Sequence, residues 1–168
     1  MRPVTVPARH HAGFSFLKVS VIVFIISVAL SLALPALKQF NLHARSAAVA
    51  RDLRTFSSAF QSYAREHGDW PAGTGVPGAI PAGMTARLTA TNWSRVTPIG
   101  GFYTWAPNRP QQGERYHAAI VIATLGGHRV SSDRNQLADL DHQLDNGDLA
   151  TGTFRLGYRH YPVYVLEH

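Results

Sequence analysis

The run FSFLKVSVIVFIISVALSLAL, from Phe14 to Leu34, contains a single charged side chain, Lys18. At about 1.5 Å of rise per residue, a helix over this stretch is roughly 30 Å long, the thickness of a bilayer's hydrocarbon core. Core helices of soluble proteins are seldom apolar on every face for so long. Ser20, Ser27 and Ser31 fit the same reading, because a hydroxyl can bond back to a carbonyl of its own helix. A cleaved secretory signal is the competing assignment, but its apolar region runs only about 7–15 residues. No small-residue cleavage site stands out after Leu34, where PALKQFNLHARSAA continues in a helix-compatible pattern. The run therefore predicts a retained membrane helix. Arg2 and Arg9 precede it while Lys38, Arg45, Arg51 and Arg54 follow, so the cations do not decide its orientation.

Past Pro35 the periodicity changes. Leu42, Val49, Leu53, Phe56, Phe60 and Tyr63 follow steps of three, four or seven, which predicts an amphipathic continuation of the helix to about His67. Gly68 is a natural stop and Pro71 cannot extend the helix. Pro35 removes one backbone donor, which predicts a bend near Ala33–Leu37. Residues 71–83, PAGTGVPGAIPAG, read as loop; their glycines lack the Gly-Lys-Ser/Thr that a phosphate cradle needs. Strand-like runs follow at Trp93–Thr97, Gly101–Trp105, Tyr116–Thr124, Thr153–His160 and Tyr161–Glu167, separated by Pro and Gly turn signals. A short helix over Arg134–Leu144 carries Leu137, Leu140 and Leu144 on one face, capped by Ser132 or Asp133. The expected class is α+β: a long N-terminal helix packed on a small, mainly antiparallel sheet.

The chain has 168 residues and no cysteine, which excludes disulfides, thiolate nucleophiles and Cys-ligated metal. Its net charge of +6 points at first sight to nucleic acid or an anionic membrane surface. Only 15% of residues are charged, however, so the balance reflects scarce acids rather than a dense basic run. Arg87, Arg95, Arg109, Arg115, Arg129, Arg134, Arg155 and Arg159 lie in sequence among Trp93, Tyr103, Trp105 and Tyr158, a combination that can grip single strands by charge and stacking. Arginine so dispersed is ordinary solvated surface in most domains, and the sequence argues against a nucleic-acid partner.

A short basic leader ends in Gly13, followed by Phe14-Ser15-Phe16-Leu17, an unbroken apolar helix, and Pro35. This pattern resembles the type IV pilin and type II secretion pseudopilin family, with its prepilin-type cleavage motif. The resemblance implies a leader of residues 1–13 removed by a prepilin peptidase, and a mature chain beginning at a methylated Phe14. It implies a transmembrane part at 14–34, an amphipathic half-helix at 35–70 and a β-rich head at 71–168. Removal of Arg2 and Arg9 would leave 14 basic and 10 acidic residues. The chain departs from the family at Lys18, where the fifth mature residue is usually Glu and pairs with a neighbouring subunit's amine. Lys18 either snorkels to the headgroups or marks a minor or tip subunit with no subunit above it. TPIGGFYTW (97–105) and LDNGDLATGTF (144–154) are similar, more weakly, to pseudopilin heads.

Candidate chemistry is sparse. Asp133, Asp139, Asp141, Asp145 and Asp148 form the one local group of carboxylates. Because major pseudopilins bind calcium in a C-terminal loop, the resemblance makes Asp145, Asn146 and Asp148 candidate oxygen ligands. No EF-hand spacing is present, and turn chemistry accounts for Asn146-Gly147. The histidines show no HExxH pairing, and neither a nucleophile elbow nor a dinucleotide fingerprint occurs. The expectation is a non-enzymatic filament subunit without cofactor, calcium being the lesser alternative. Its partners would be other pilin or pseudopilin subunits, the prepilin peptidase and the inner membrane. It would sit as a single-pass protein with its head in the periplasm or an extracellular filament. The competing class is a membrane-tethered binding module that never joins the filament body, such as a DNA-contacting minor pilin. Missing paired cysteines favour a secretion pseudopilus over a surface pilus.

Overall fold

A computed structural model describes residues 16–111 and 114–168. Helix α1 (Phe16–His67) is followed by a one-turn helix α2 (Thr85–Leu88) and strand β1 (Phe102–Trp105). A hairpin of β2 (Arg109–Gln111) and β3 (Glu114–Tyr116) leads into β4 (Ala118–Ala123). Helix α3 (Arg134–Leu144), strand β5 (Phe154–Leu156) and strand β6 (Pro162–Glu167) complete the chain. Two compact units divide between Gln39 and Phe40.

In the first unit, α1 runs unbroken through Pro35. Its hydroxyls follow the expectation from sequence. Ser20 donates to the Leu17 carbonyl at 2.9 Å, Ser27 to Val23 at 2.8 Å and Ser31 to Ser27 at 2.8 Å.

The second unit is an antiparallel sheet in the order β1-β4-β6-β5, with α1 residues on one face. Val49, Leu53, Phe56 and Phe60 are wholly buried there, at the spacing the sequence stripe marks out. Phe56 meets Trp93 and Tyr103 edge-on at 5.0 and 4.8 Å, and Phe60 stacks on Trp105 at 4.0 Å. Edge-on and offset arrangements suit the ring quadrupoles, which is why aromatic side chains fill this seam. β4 reads AAIVIA because both of its faces are covered. Ile120 and Ile122 face α1, while Ala119 and Val121 join Val163 and Val165 in a second cluster on the opposite face. A strand buried on both sides loses the polar alternation of a half-exposed one.

Two tryptophans tie the glycine-rich loop to this core. Trp105 Nε1 donates to the Pro71 carbonyl at 2.7 Å, and Trp93 Nε1 to Ala79 at 2.9 Å. Loop 71–83 is therefore anchored without regular structure of its own. The expected strand at Trp93–Thr97 is absent: the segment is a loop whose Trp93 serves as a core plug. The expected strand Thr153–His160 stops at Leu156, and Tyr158–His160 is a tight helical turn. Gly68 ends α1 with a φ of 76° and an N–H bonded to Ala64 at 2.8 Å, the left-handed stop that glycine permits.

Candidate functional site

Residues 16–41 of α1 are exposed, and no residue of the apolar window within it is buried. Phe16, Leu17, Phe24, Ile25, Leu32 and Leu34 each present more than half of their surface. At about 25 cal/mol per Å², an apolar surface of this extent is strongly unfavourable in water. With its serines bonded internally, the helix asks only for lipid or other apolar helices around it. One long apolar helix near the N-terminus is consistent with a single-pass anchor.

Lys18 sits exposed within this surface. The departure at this position is broader than one residue, because no Asp or Glu precedes Asp52 anywhere in the chain. Gly13 and Phe14, the expected processing residues, lie outside the described residues.

Asp52, the first acid, works inside the head. It accepts from the Tyr103 hydroxyl at 3.0 Å and from Asn92 Nδ2 at 3.1 Å. Burial first, then the Asp52 charge, push the Tyr103 phenol well above its usual range, so it stays a neutral donor. Helix α3 is fixed to α1 by His43 Nδ1, 2.9 Å from Asp139 Oδ1, by Ser46 Oγ donating to the Gln136 carbonyl at 3.1 Å, and by Arg54 donating to the Gln143 carbonyl. Burial works to raise the Asp139 pKa, but hydrogen bonds from His43, Ser46 and Gln143 outweigh it and lower the value.

These contacts build a long helix lying on a four-stranded antiparallel sheet, with a short helix clamped beside it. Among solved structures, the major type IV pilin PilA1 from Clostridium difficile superposes with a TM-score of 0.53 at 16% sequence identity, covering 76% of this chain and 97% of that one. The fold is that of a type IV pilin. No family model matches the chain, and no curated protein matches it. The α+β architecture expected from sequence is thus present.

The pilin head places the remaining candidate residues as follows. Asp145 accepts from the Thr153 N–H and, at 3.2 Å, from the Thr153 hydroxyl. Asn146 Oδ1 accepts from the Asp148 N–H at 2.8 Å, while Asp148 accepts from the Ala150 N–H and the Thr151 hydroxyl at 3.1 and 3.0 Å. Their oxygens serve the loop's own donors, and among the described residues no three His, Asp or Glu side chains come together as a metal cage. For nucleic acid, Trp93, Tyr103 and Trp105 are at most 1% exposed and cannot stack on a base; only Tyr158, at 60%, is available.

What sequence reasoning missed is the burial of Asp141. Its side chain is fully buried, and neither carboxylate oxygen has a well-formed hydrogen bond, the Gly147 N–H being only a weak donor to it. Burial, then the nearby Asp145 charge, raise its pKa to about 6; Asp148 adds to the rise, while the Gly147 N–H and His142 oppose it. The signal was available: Asp141 lies four residues after Leu137 and three before Leu144, on the apolar stripe itself.

Proposed function

We propose that this chain is a structural subunit of a type IV pilus or type II secretion pseudopilus filament, cut after Gly13 and anchored through residues 14–34. The observation that carries this reading is a pilin-type head on a helix whose first half is a continuous exposed apolar surface. Such a surface is stored in the bilayer before assembly and buried against copies of itself afterwards, so polymerisation exchanges lipid contact for helix contact. A secretion pseudopilus is favoured by the absence of cysteine. A minor or tip position is favoured by Lys18 and by the lack of any acid before Asp52.

Two measurements test the proposal in the native host. Mass analysis of the mature protein is expected to find an N-terminal methylated Phe14, and replacement of Gly13 by a bulky residue is expected to abolish processing. A mature N-terminus at Met1 would contradict the filament reading. Because the chain lacks cysteine, pairs of cysteines introduced between Leu17 and Leu32 report neighbours without background. A ladder of cross-linked multimers identifies a filament-body subunit, and a single heterologous adduct identifies a tip subunit. Cross-links confined to monomers point instead to the tethered binding module. Lys18→Glu separates the two readings of position 18. It is expected to extend the ladder if Lys18 blocks a contact, and to leave it unchanged if Lys18 merely snorkels.

A further inference from the structure

A pocket of about 270 Å³ lies in the head between the start of α3 and the turn joining β5 to β6. Its apolar lining includes Leu137 and Leu156, and its polar lining includes Ser131, Arg134, Arg159 and His160. The basic groups come from elements about 25 positions apart in sequence, brought together where α3 packs on β5. Among the described residues, no Asp or Glu pairs with Arg134, Arg159 or His160. The nearest acid in sequence, Asp133, is turned to the helix end, where it accepts from the Asn135 and Gln136 N–H groups at 3.0 and 3.4 Å. That cap takes two of the helix's free donors, so a ligand here would be held chiefly by side chains.

The turn is built in an unusual way. Arg159 (φ 58°) and His160 (φ 59°) both take the left-handed backbone conformation, which residues with a Cβ adopt rarely and seldom in succession. A turn needing only this shape is best served by glycine. Here an arginine and a histidine occupy these positions, and both line the pocket. Arg159 is further ordered by the Tyr158 ring, over which its guanidinium lies at 5.3 Å.

We propose that this pocket binds a small organic anion, a carboxylate or phosphate monoester carried on an apolar body of about ring size. Arg134 and Arg159 grip the anionic oxygens through their planar forks, and Leu137 and Leu156 contact the apolar part. The cavity is too small for a polymer chain and lacks the acids that would recognise a cation. This inference is independent of the filament reading, because it uses head residues alone.

The test uses the full chain in non-ionic detergent micelles, titrated with phenyl phosphate, benzoate and inorganic phosphate and followed by amide chemical shifts. Saturable shifts confined to residues 130–137 and 156–161 are expected with phenyl phosphate or benzoate, at lower concentration than with inorganic phosphate. Arg134→Gln and Arg159→Gln are each expected to weaken binding about tenfold or more, the effect of losing a hydrogen bond to a charged group. Arg159→Gly keeps the turn and relieves its backbone, so it is expected to raise Tm while weakening binding to the same degree. Shifts that never saturate or that spread over the whole head would overturn the proposal. So would undiminished binding in the glycine variant, or inorganic phosphate binding as tightly as the aryl anions.

Discussion

Replacing Asp141 with asparagine is expected to stabilise the head at neutral pH. The wild-type carboxyl is enclosed, has no well-formed hydrogen bond, and has its pKa raised to about 6 from the 3.8 of an ordinary aspartate. Its pKa is raised on folding, so the native state holds the proton more tightly than the unfolded chain does. Between about pH 4 and pH 6 the native state carries more protons, and stability falls as pH rises through that window. At about 1.36 kcal/mol per pKa unit, the gap corresponds to about 3 kcal/mol of destabilisation above pH 7. Asparagine removes the charge but leaves an amide with the same missing partners, which costs about 1–2 kcal/mol. The expected net gain at pH 7.5 is therefore about 1–2 kcal/mol, shrinking to nothing or reversing at pH 4. Denaturant unfolding of the full chain in detergent, repeated from pH 4 to 8, reads this as a difference between wild type and variant. Asp139 and Glu66 have lowered pKa values and lose their contributions as pH falls, but they do so equally in both proteins and cancel. A variant less stable than wild type at pH 7.5, with a parallel pH profile, would show that Asp141 has a favourable partner when ionised.

Phe60→Ala removes a ring that is fully buried and stacked on Trp105 at 4.0 Å, and is expected to cost about 3–5 kcal/mol in unfolding free energy. Asp133→Ala removes the side chain that accepts from Asn135 and Gln136, with an expected loss of about 1 kcal/mol and faster amide exchange confined to the first turn of α3. Gly101→Ala places a Cβ at a φ of 73°, 2.6 Å from Val130 Cγ2 and 2.8 Å from the Ala123 carbonyl oxygen. It is expected to cost roughly 1–3 kcal/mol or more, seen as a lowered denaturant midpoint, whereas alanine at Gly126, where nothing lies within 4 Å, should cost less.

The parts of this fold that could be read from sequence are those whose information is local. The stripe from Val49 to Phe60 has a helical period and lies on the buried face, and α3 begins and ends at Arg134 and Leu144 as its leucines and cap indicate. What escaped was set by distant partners. Trp93 and Val96 look like strand residues, but Trp93 is held by Phe56, Tyr103 and the Ala79 carbonyl, and no strand forms. Pro107–Pro110 reads as a turn, and the strand Arg109–Gln111 exists there only because Tyr116 and its neighbours pair with it. β-Propensity is a statement about neighbours across the sheet, and a single sequence does not supply those neighbours.

Asp141 and Lys18 are the two places where the residue type contradicts its surroundings, and the contradictions differ in kind. Lys18 stands in an apolar helix, but its ammonium is on a flexible stem near one end of the membrane-length segment and can reach the headgroups. Nothing in the head forces a choice upon it. Asp141 has a short side chain on the packed face of α3, between Leu137 and Leu144, and has no such escape. Its charge can be relieved only by a proton or by movement of the loop that carries Asp145 and Asp148. Position 18 should therefore tolerate Lys→Glu without loss of head stability, and any effect should appear in assembly. Position 141 should show the reverse: stability that depends on pH in the isolated subunit, before any neighbour is present. If Lys18→Glu lowered the unfolding midpoint of the head, or Asp141→Asn changed cross-linking while leaving the midpoint untouched, this division between the two units would be wrong.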